Sequence, residues 1–160
     1  MVISAIIWVI FRFIRRKHSK FAAMSITDTE NEIIEEFEIF GDDWEGKYEH
    51  LIELGKELPK IREDYKTDDR LIKGCQSKVW LHTEKVNDAI VYTADSDAII
   101  TKGMVALIIR VLSHQKAADI LKADLNFINK IGLTEHLSPT RANGLVSMIK
   151  QMKLDALALT

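Results

Sequence analysis

The stretches VWLHTEKVNDAIVYT, residues 79–93, and IITKGMVALIIRVL, residues 99–112, decide the fold class. The first is rich in β-branched and aromatic residues and is interrupted by Asn87-Asp88, which is typical of a tight hairpin turn. We therefore predict two strands, Val79–Val86 and residues 89–93. The second stretch is almost entirely apolar but, at 14 residues, is too short to span a bilayer, so we predict a buried helix that crosses the sheet.

Two amphipathic helices are predicted before the hairpin. Thr29 followed by Glu32 has the pattern of a capping box, which predicts that the first helix begins near Thr29. Gly41 ends this helix, and Asp42 or Asp43 is expected to cap the second one. The highly charged residues 60–70 that follow predict a solvated loop.

Three further helices are predicted after the buried one. Residues 117–121 and 125–131 are expected to form short helices, and the last helix begins at Ser138-Pro139, with Ser138 as its N-cap. Helices packed on one side of a small antiparallel sheet define the α+β class. The 160 residues are enough for one domain, which we assign to residues 24–160, with residues 1–23 as an extension outside the fold.

Cysteine content and charge exclude several classes of protein. Cys75 is the only cysteine, so the chain can form neither an internal disulfide nor a cysteine-rich zinc or iron–sulfur site. A single cysteine fits a reducing compartment, and we expect a cytoplasmic location. Residues 1–23 carry a charge of +5 and the whole chain carries −2, so the remainder carries −7. An acidic body without a basic stripe argues against a nucleic-acid partner.

The extension, residues 1–23, places an apolar run before its basic residues. Residues 1–14 are apolar except for Ser4 and Arg12, and this run is shorter than the roughly 20 residues of a membrane span. A secretory signal has its positive charge before the apolar run, not after it. Three interpretations stay open: a membrane-surface anchor, a signal-anchor fragment, or translated sequence upstream of the true start. We favour the last and expect no membrane partner.

Cys75 belongs to the loop Gly74-Cys75-Gln76-Ser77, directly before the first predicted strand. Gly74 permits a sharp turn, and Gln76 and Ser77 are expected to shape the loop. The thiol is either a buried inert side chain or a single reactive nucleophile, and its place on a loop favours the second. A nucleophilic thiol must ionise. The flanking Lys73 and Lys78 either lower its pKa or are simply solvated.

Metal and nucleotide sites have little support in the sequence. Asp95-Ser96-Asp97 resembles a D-x-D metal-binding pair, but it is better explained as the end of a strand and the cap of the next helix. The five histidines lack H-x3-H or H-E-x-x-H spacing, and no glycine-rich phosphate loop occurs. We expect neither a bound metal nor a cofactor.

Six motifs in a fixed order resemble those of a known family. They are Trp44-x3-Tyr48, Leu54-Gly55 with Leu58-Pro59, Gly74-Cys75-Gln76-Ser77-x-Val79-Trp80, Asp95-Ser96-Asp97-Ala98, Lys102-Gly103, and Leu137-Ser138-Pro139-x-Arg141-x2-Gly144-Leu145. Their order and spacing resemble the SufE family of sulfur acceptors. The resemblance runs from about Ile33 to the C-terminus.

This resemblance implies a persulfide relay in iron–sulfur cluster assembly. Cys75 would accept sulfur from a cysteine desulfurase, a pyridoxal-phosphate enzyme, and pass it to a scaffold complex. The protein would be a carrier and an activator of that enzyme, not an enzyme itself. The implied α+β fold is shared with IscU-type scaffold proteins. The resemblance also places Arg141 near the cysteine loop, where it would be an anion stabiliser, a partner contact or part of a structural ion pair. The alternative is a stand-alone single-cysteine thiol enzyme, a peroxidase or a transferase.

Overall fold

A computed structural model describes residues 24–160, and the predictions about residues 1–23 lie outside this part. Seven α-helices and one two-stranded antiparallel sheet make up the described chain, which confirms the predicted α+β class. The helices are α1 Ile26–Glu38, α2 Trp44–Lys56, α3 Ile99–Leu112, α4 Ala117–Lys122, α5 Phe127–Lys130, α6 Leu133–His136 and α7 Pro139–Ala158; the strands are β1 Val79–Val86 and β2 Ala89–Ser96.

Helix α1 begins about one turn earlier than predicted. Its N-cap is Ser25, whose hydroxyl oxygen accepts a hydrogen bond from the Asp28 N–H at 3.1 Å. Thr29 is buried within the helix, where its hydroxyl donates to the Ser25 carbonyl oxygen at 3.1 Å. The capping-box prediction at Thr29 was therefore wrong, because Ser25 and Asp28 form the same kind of pattern four residues earlier. Asp43 caps α2 as predicted, accepting from the Gly46 N–H at 3.0 Å.

The β-hairpin has the predicted position but a longer second strand. Strands β1 and β2 pair from Val79 opposite Ser96 to Val86 opposite Ala89, so β2 continues three residues past its predicted end. Asn87 occupies the turn with a φ of 56°, which suits a two-residue hairpin connection. One face of the sheet packs on α3 and α7 and carries the buried side chains of Val79, Leu81, Ile90, Tyr92 and Ala94.

Residues 60–71 cross the other face of the sheet from edge to edge. Lys60 bridges to Ala94 at the β2 edge, and Leu71 bridges to Trp80 at the β1 edge. Between these bridges the Tyr65 ring lies 4.2 Å from the His82 ring, measured between centroids. The predicted solvated loop is thus a covering segment, since Tyr65 packs on the sheet and the partly buried Lys66 and Arg70 bind Asp95 and His82.

Helix α3 is the buried helix that the sequence predicts, and two glycines fix its position against α2. A Cβ atom on Gly103 would overlap the Leu51 carbonyl oxygen, and one on Gly55 would lie 2.9 Å from the Gly103 amide nitrogen. Because neither glycine has a side chain, the two backbones can touch. This contact positions the first turn of α3, which lines the site described below.

The C-terminal helices follow the predictions with two exceptions, namely residues 125–131 and the short helix α6, which was not predicted. Residues 125–131 do not form one helix, because Leu125 has a φ of 54°, in the left-handed region, and α5 covers only Phe127–Lys130. Helix α7 begins as predicted, with Ser138 as its cap and Pro139 at its first position. In the part of the chain from residue 24 onward, no helix has the length and apolar character that a membrane span requires.

Candidate functional site

Cys75 lies on a turn that leads into β1. Gly74 has a φ of 90°, which side-chain-bearing residues rarely adopt, and a Cβ atom there would lie only 2.5 Å from the Ser147 hydroxyl oxygen in α7. The Ile72 N–H donates to the Val79 carbonyl oxygen at 2.9 Å and closes the turn. The sharp turn expected at Gly74 is therefore present, and it packs directly against α7.

Ser96 and Asp97 hold the far end of this turn. The Asp97 carboxylate accepts from the Lys78 N–H at 2.9 Å, and the Ser96 hydroxyl donates to the Lys78 carbonyl oxygen at 2.8 Å. The N-cap of α3 is Ala98, which has no side-chain capping bond. The predicted capping role of Asp95-Ser96-Asp97 is thus replaced by a tether between β2 and the cysteine turn.

The Asp95 carboxylate is also occupied by protein groups. It pairs with Lys66 Nζ at 2.7 Å and with Lys102 Nζ at 3.0 Å. The two lysines balance the negative charge of this carboxylate, whereas a carboxylate that binds a metal ion is not paired in this way. Among residues 24–160, no group of three or more His, Cys, Asp or Glu side chains is arranged to hold a metal ion.

The Cys75 thiol is half-buried and donates its hydrogen to the Gly144 carbonyl oxygen, with a sulfur–oxygen distance of 3.5 Å. Burial raises the pKa of this thiol above its usual range. The side chains of Lys73 and Lys78 are exposed. These two lysines do not lower the pKa of the Cys75 thiol, which was one of the two roles considered for them. The resting sulfur is consequently a neutral thiol.

A cavity of about 280 Å³ opens beside Cys75. Four residues with hydroxyl groups line it, namely Ser77, Thr101, Ser138 and Thr140. Met104 and Met148 add apolar surface, and Gln76 and Gly144 complete the wall near the sulfur. Among the described residues that line the cavity, Arg141 is the charged one. The cavity thus combines hydrogen-bond donors and one cation with a small apolar surface.

Arg141 is the third residue of α7. Its backbone N–H donates to the Ser138 hydroxyl oxygen at 3.4 Å, which completes the cap of this helix. Within residues 24–160 the guanidinium group makes neither a hydrogen bond nor an ion pair. Arg141 therefore has no partner in the described chain for the structural ion pair that was considered among its roles.

The structure brings Cys75, Gln76, Ser77 and Arg141 to one cavity, although Arg141 lies on a distant segment of the chain. Gly74 shapes the turn from outside the cavity wall. Sequence reasoning missed Thr101 as a wall residue. Its signal was present, because Thr101 is a polar position in the apolar run of residues 99–112.

Fold and site together define a small α+β domain with a single thiol on a turn beside a polar cavity. Residues 31–156 match the family model described as "SufE: Fe-S metabolism associated domain". The chain belongs to the SufE family, as the order of its motifs predicts. This membership assigns it to iron–sulfur metabolism as an accessory protein.

Similar proteins agree with this assignment. An uncharacterised SufE-like protein of Rhizobium meliloti is 43% identical over 131 residues, which cover 79% of this chain and 93% of that protein. An uncharacterised SufE-like protein of Rhizobium etli is 41% identical and is covered to 88%, again with 79% of this chain. The solution structure of a hypothetical protein from Thermus thermophilus superposes with a TM-score of 0.67, covering 81% of this chain and 94% of that one. At 17% identity, this likeness shows the fold alone.

Proposed function

We propose that Cys75 accepts sulfur from the persulfide of a cysteine desulfurase, stimulates that enzyme and delivers the sulfur to an iron–sulfur scaffold complex. The observation that carries this proposal is the position of the thiol. It is half-buried on a glycine turn beside a cavity of about 280 Å³, which has room for an additional sulfur atom. We expect this relay in the reducing cytoplasm, where a lone thiol stays unpaired.

The transfer step is an exchange between two sulfur–sulfur bonds. The Cys75 thiolate attacks the outer sulfur of the partner's persulfide, a new sulfur–sulfur bond forms at Cys75, and the partner's cysteine leaves as a thiolate. One such bond breaks as one forms, so no external oxidant or reductant is needed.

Protonation of Cys75 controls when this step can occur. Because burial raises the pKa of the thiol and the Gly144 carbonyl oxygen accepts its hydrogen, the resting protein reacts slowly. We propose that docking of the desulfurase releases the sulfur from Gly144 and provides the base. A carrier regulated in this way takes up sulfur only from a docked partner.

The alternative, a stand-alone thiol peroxidase or transferase, has less support. Such an enzyme needs a base in contact with its sulfur. Among residues 24–160, those that line the cavity include no His, Asp or Glu, and the sulfur's hydrogen-bond partner is a backbone carbonyl group. These features favour a carrier that depends on a partner for activation.

Intact-protein mass spectrometry tests the proposal. After incubation with a desulfurase and free cysteine, Cys75 should gain the mass of one sulfur atom. The matched control is Cys75→Ser, which is nearly isosteric and should keep the melting temperature while gaining no sulfur. Stimulation of the desulfurase by the serine variant would contradict the relay, and peroxide consumption by the wild-type protein alone would favour the thiol-enzyme alternative.

A further inference from the structure

Thr101 is a buried residue whose hydroxyl group has no partner in the part of the chain that the structure describes. It is 5% exposed and lines the cavity beside Cys75. Its hydroxyl forms no hydrogen bond with any residue from 24 to 160, although buried polar groups normally have partners. The Thr101 oxygen is not among the fully enclosed side-chain atoms that lack a partner in this part of the chain. The Thr101 oxygen is therefore not sealed in the core but opens into the cavity.

The N-terminal ends of two long helices meet at this cavity. Thr101 is the third residue of the 14-residue α3, and Thr140 and Arg141 are the second and third residues of the 20-residue α7. The positive ends of helix dipoles stabilise anions. The guanidinium of Arg141, which has no partner in the described chain, adds a full positive charge, and none of the wall residues from 24 to 160 is acidic. The cavity is thus suited to a small anion.

The reduced thiol does not use these donors. Its hydrogen is directed to the Gly144 carbonyl oxygen, 3.5 Å from the sulfur. When a second sulfur is attached, the inner sulfur has no hydrogen to donate, and its lone pairs repel the carbonyl oxygen. A persulfide is also more acidic than a thiol, so the outer sulfur carries negative charge. Electrostatics therefore favours a loaded side chain that turns away from Gly144 and toward the positive part of the cavity.

We propose that the Thr101 hydroxyl donates a hydrogen bond to the outer sulfur of the Cys75 persulfide, while Arg141 supplies the compensating charge. This inference rests on the proposed function, because it concerns the loaded state of the same cysteine. Thr101 holds the transferred sulfur inside the cavity and lengthens the lifetime of the persulfide against free thiols.

The test compares Thr101→Val, which removes the hydroxyl at nearly constant shape, with Thr101→Ser, which keeps it. Inorganic polysulfide loads each protein without a desulfurase, and mass spectrometry follows the loss of the added sulfur to glutathione. We expect loss about fivefold faster in the valine variant and near the wild-type rate in the serine variant. Thr101→Ala is a second hydroxyl-free variant, with the same expected direction, in case valine disturbs packing.

Two further readouts separate this role from a structural one. Alkylation of the reduced Cys75 should be equally fast in wild type and all variants, since the thiol bonds to Gly144 and forms no hydrogen bond with Thr101. The pH midpoint for alkylation of the persulfide should rise in the valine variant, because the hydrogen bond stabilises the anion.

Several results would overturn the inference. One is an equal persulfide lifetime in the wild-type and valine proteins. Another is a change in the alkylation rate of the reduced thiol as large as the change in persulfide lifetime. A third is failure of wild-type Cys75 to take up sulfur from polysulfide. If polysulfide loading gives the expected pattern while a desulfurase leaves Cys75 unloaded, the Thr101 subsite stands and the proposed function fails.

Discussion

Arg141 presents a guanidinium group to the Cys75 cavity, with no acidic partner among residues 24–160. Replacing the Arg141 side chain therefore breaks no ion pair within this part of the chain. We expect Arg141→Ala to keep the wild-type melting temperature and to slow sulfur uptake by Cys75 about tenfold, the usual effect of losing a charged hydrogen bond. Uptake is measured by mass spectrometry in the presence of a desulfurase.

Arg141→Lys is the matched control. Lysine keeps the charge but loses the planar geometry of the guanidinium group, so it should retain part of the activity. A fall in melting temperature that accompanies the lost uptake would instead indicate a structural role. Normal uptake in the alanine variant would remove Arg141 from the site.

Gly74 and Gly144 both lie next to Cys75, yet replacement by alanine should change the free energy of unfolding in opposite directions at the two positions. At Gly74 the φ of 90° and the 2.5 Å approach to the Ser147 hydroxyl oxygen make a Cβ atom unfavourable. We expect Gly74→Ala to lower the free energy of unfolding by about 1–2 kcal/mol. At Gly144, inside α7, a Cβ atom would lie 3.6 Å from the Cys75 sulfur, an ordinary contact. Gly144→Ala should raise stability by about 0.5–1 kcal/mol.

Urea denaturation of both variants measures this difference. Gly144→Ala should also slow alkylation of Cys75, because the new methyl group covers the sulfur. A stability change of the same sign in both variants would contradict the distinction.

At the level of elements, α1 is tied to α3 by an ion pair between Glu36 and Arg110. The guanidinium donates to the two carboxylate oxygens at 2.8 and 2.6 Å. Burial alone would raise the pKa of Glu36, but the bonds from Arg110 and His50 outweigh it and lower this pKa to about 2. The carboxylate form of Glu36 therefore stabilises the contact between these helices.

The stability provided by Glu36 should depend on pH. Because its folded-state pKa is depressed from 4.5 to about 2, the contribution is complete above pH 4.5 and is lost as pH falls toward 2. We expect Glu36→Gln to reduce the free energy of unfolding at neutral pH by about 2 kcal/mol, and the difference from wild type to shrink with acidification. Denaturant unfolding at several pH values measures it.

Glu53→Gln is the matched control for this prediction. Glu53 pairs with Lys56 on the surface of α2, where both side chains are 65% exposed, so its loss should change stability by less than about 1 kcal/mol. A constant difference between the Glu36 variant and wild type at all pH values would contradict the linkage.

For the whole molecule, the described fold begins at Met24 and Ser25. The Gln115 side-chain amide donates to the Met24 carbonyl oxygen at 2.6 Å, and Ser25 caps α1. A chain that starts at Met24 keeps both contacts. We expect it to match the full chain in melting temperature and in sulfur uptake by Cys75.

The interpretations of residues 1–23 give different outcomes in this comparison. Loss of sulfur uptake in the shortened chain would contradict the prediction. If the full chain sediments with membranes from cells and the shortened chain does not, the membrane-anchor interpretation holds.

Local patterns were enough to predict the hairpin turn at Asn87-Asp88, the buried helix α3 and the start of α7 at Ser138-Pro139. Each depends on residues within about one turn of each other, through turn geometry, periodicity or capping. The motif order also predicted the family. Where two local patterns competed, as at Ser25 and Thr29, sequence reasoning chose the wrong one, because Ser25 caps the helix and Thr29 is buried inside it.

Only the tertiary structure decided the environment of Cys75. The Gly144 carbonyl oxygen that accepts its hydrogen belongs to α7, and Thr101 and Arg141 reach the cavity from two different helices. The amino-acid sequence by itself determined that the chain has one thiol, on a glycine turn before a strand. Whether that thiol is neutral, and what faces it, depends on packing between distant segments, since burial and hydrogen bonding set a pKa and neither is encoded by local spacing.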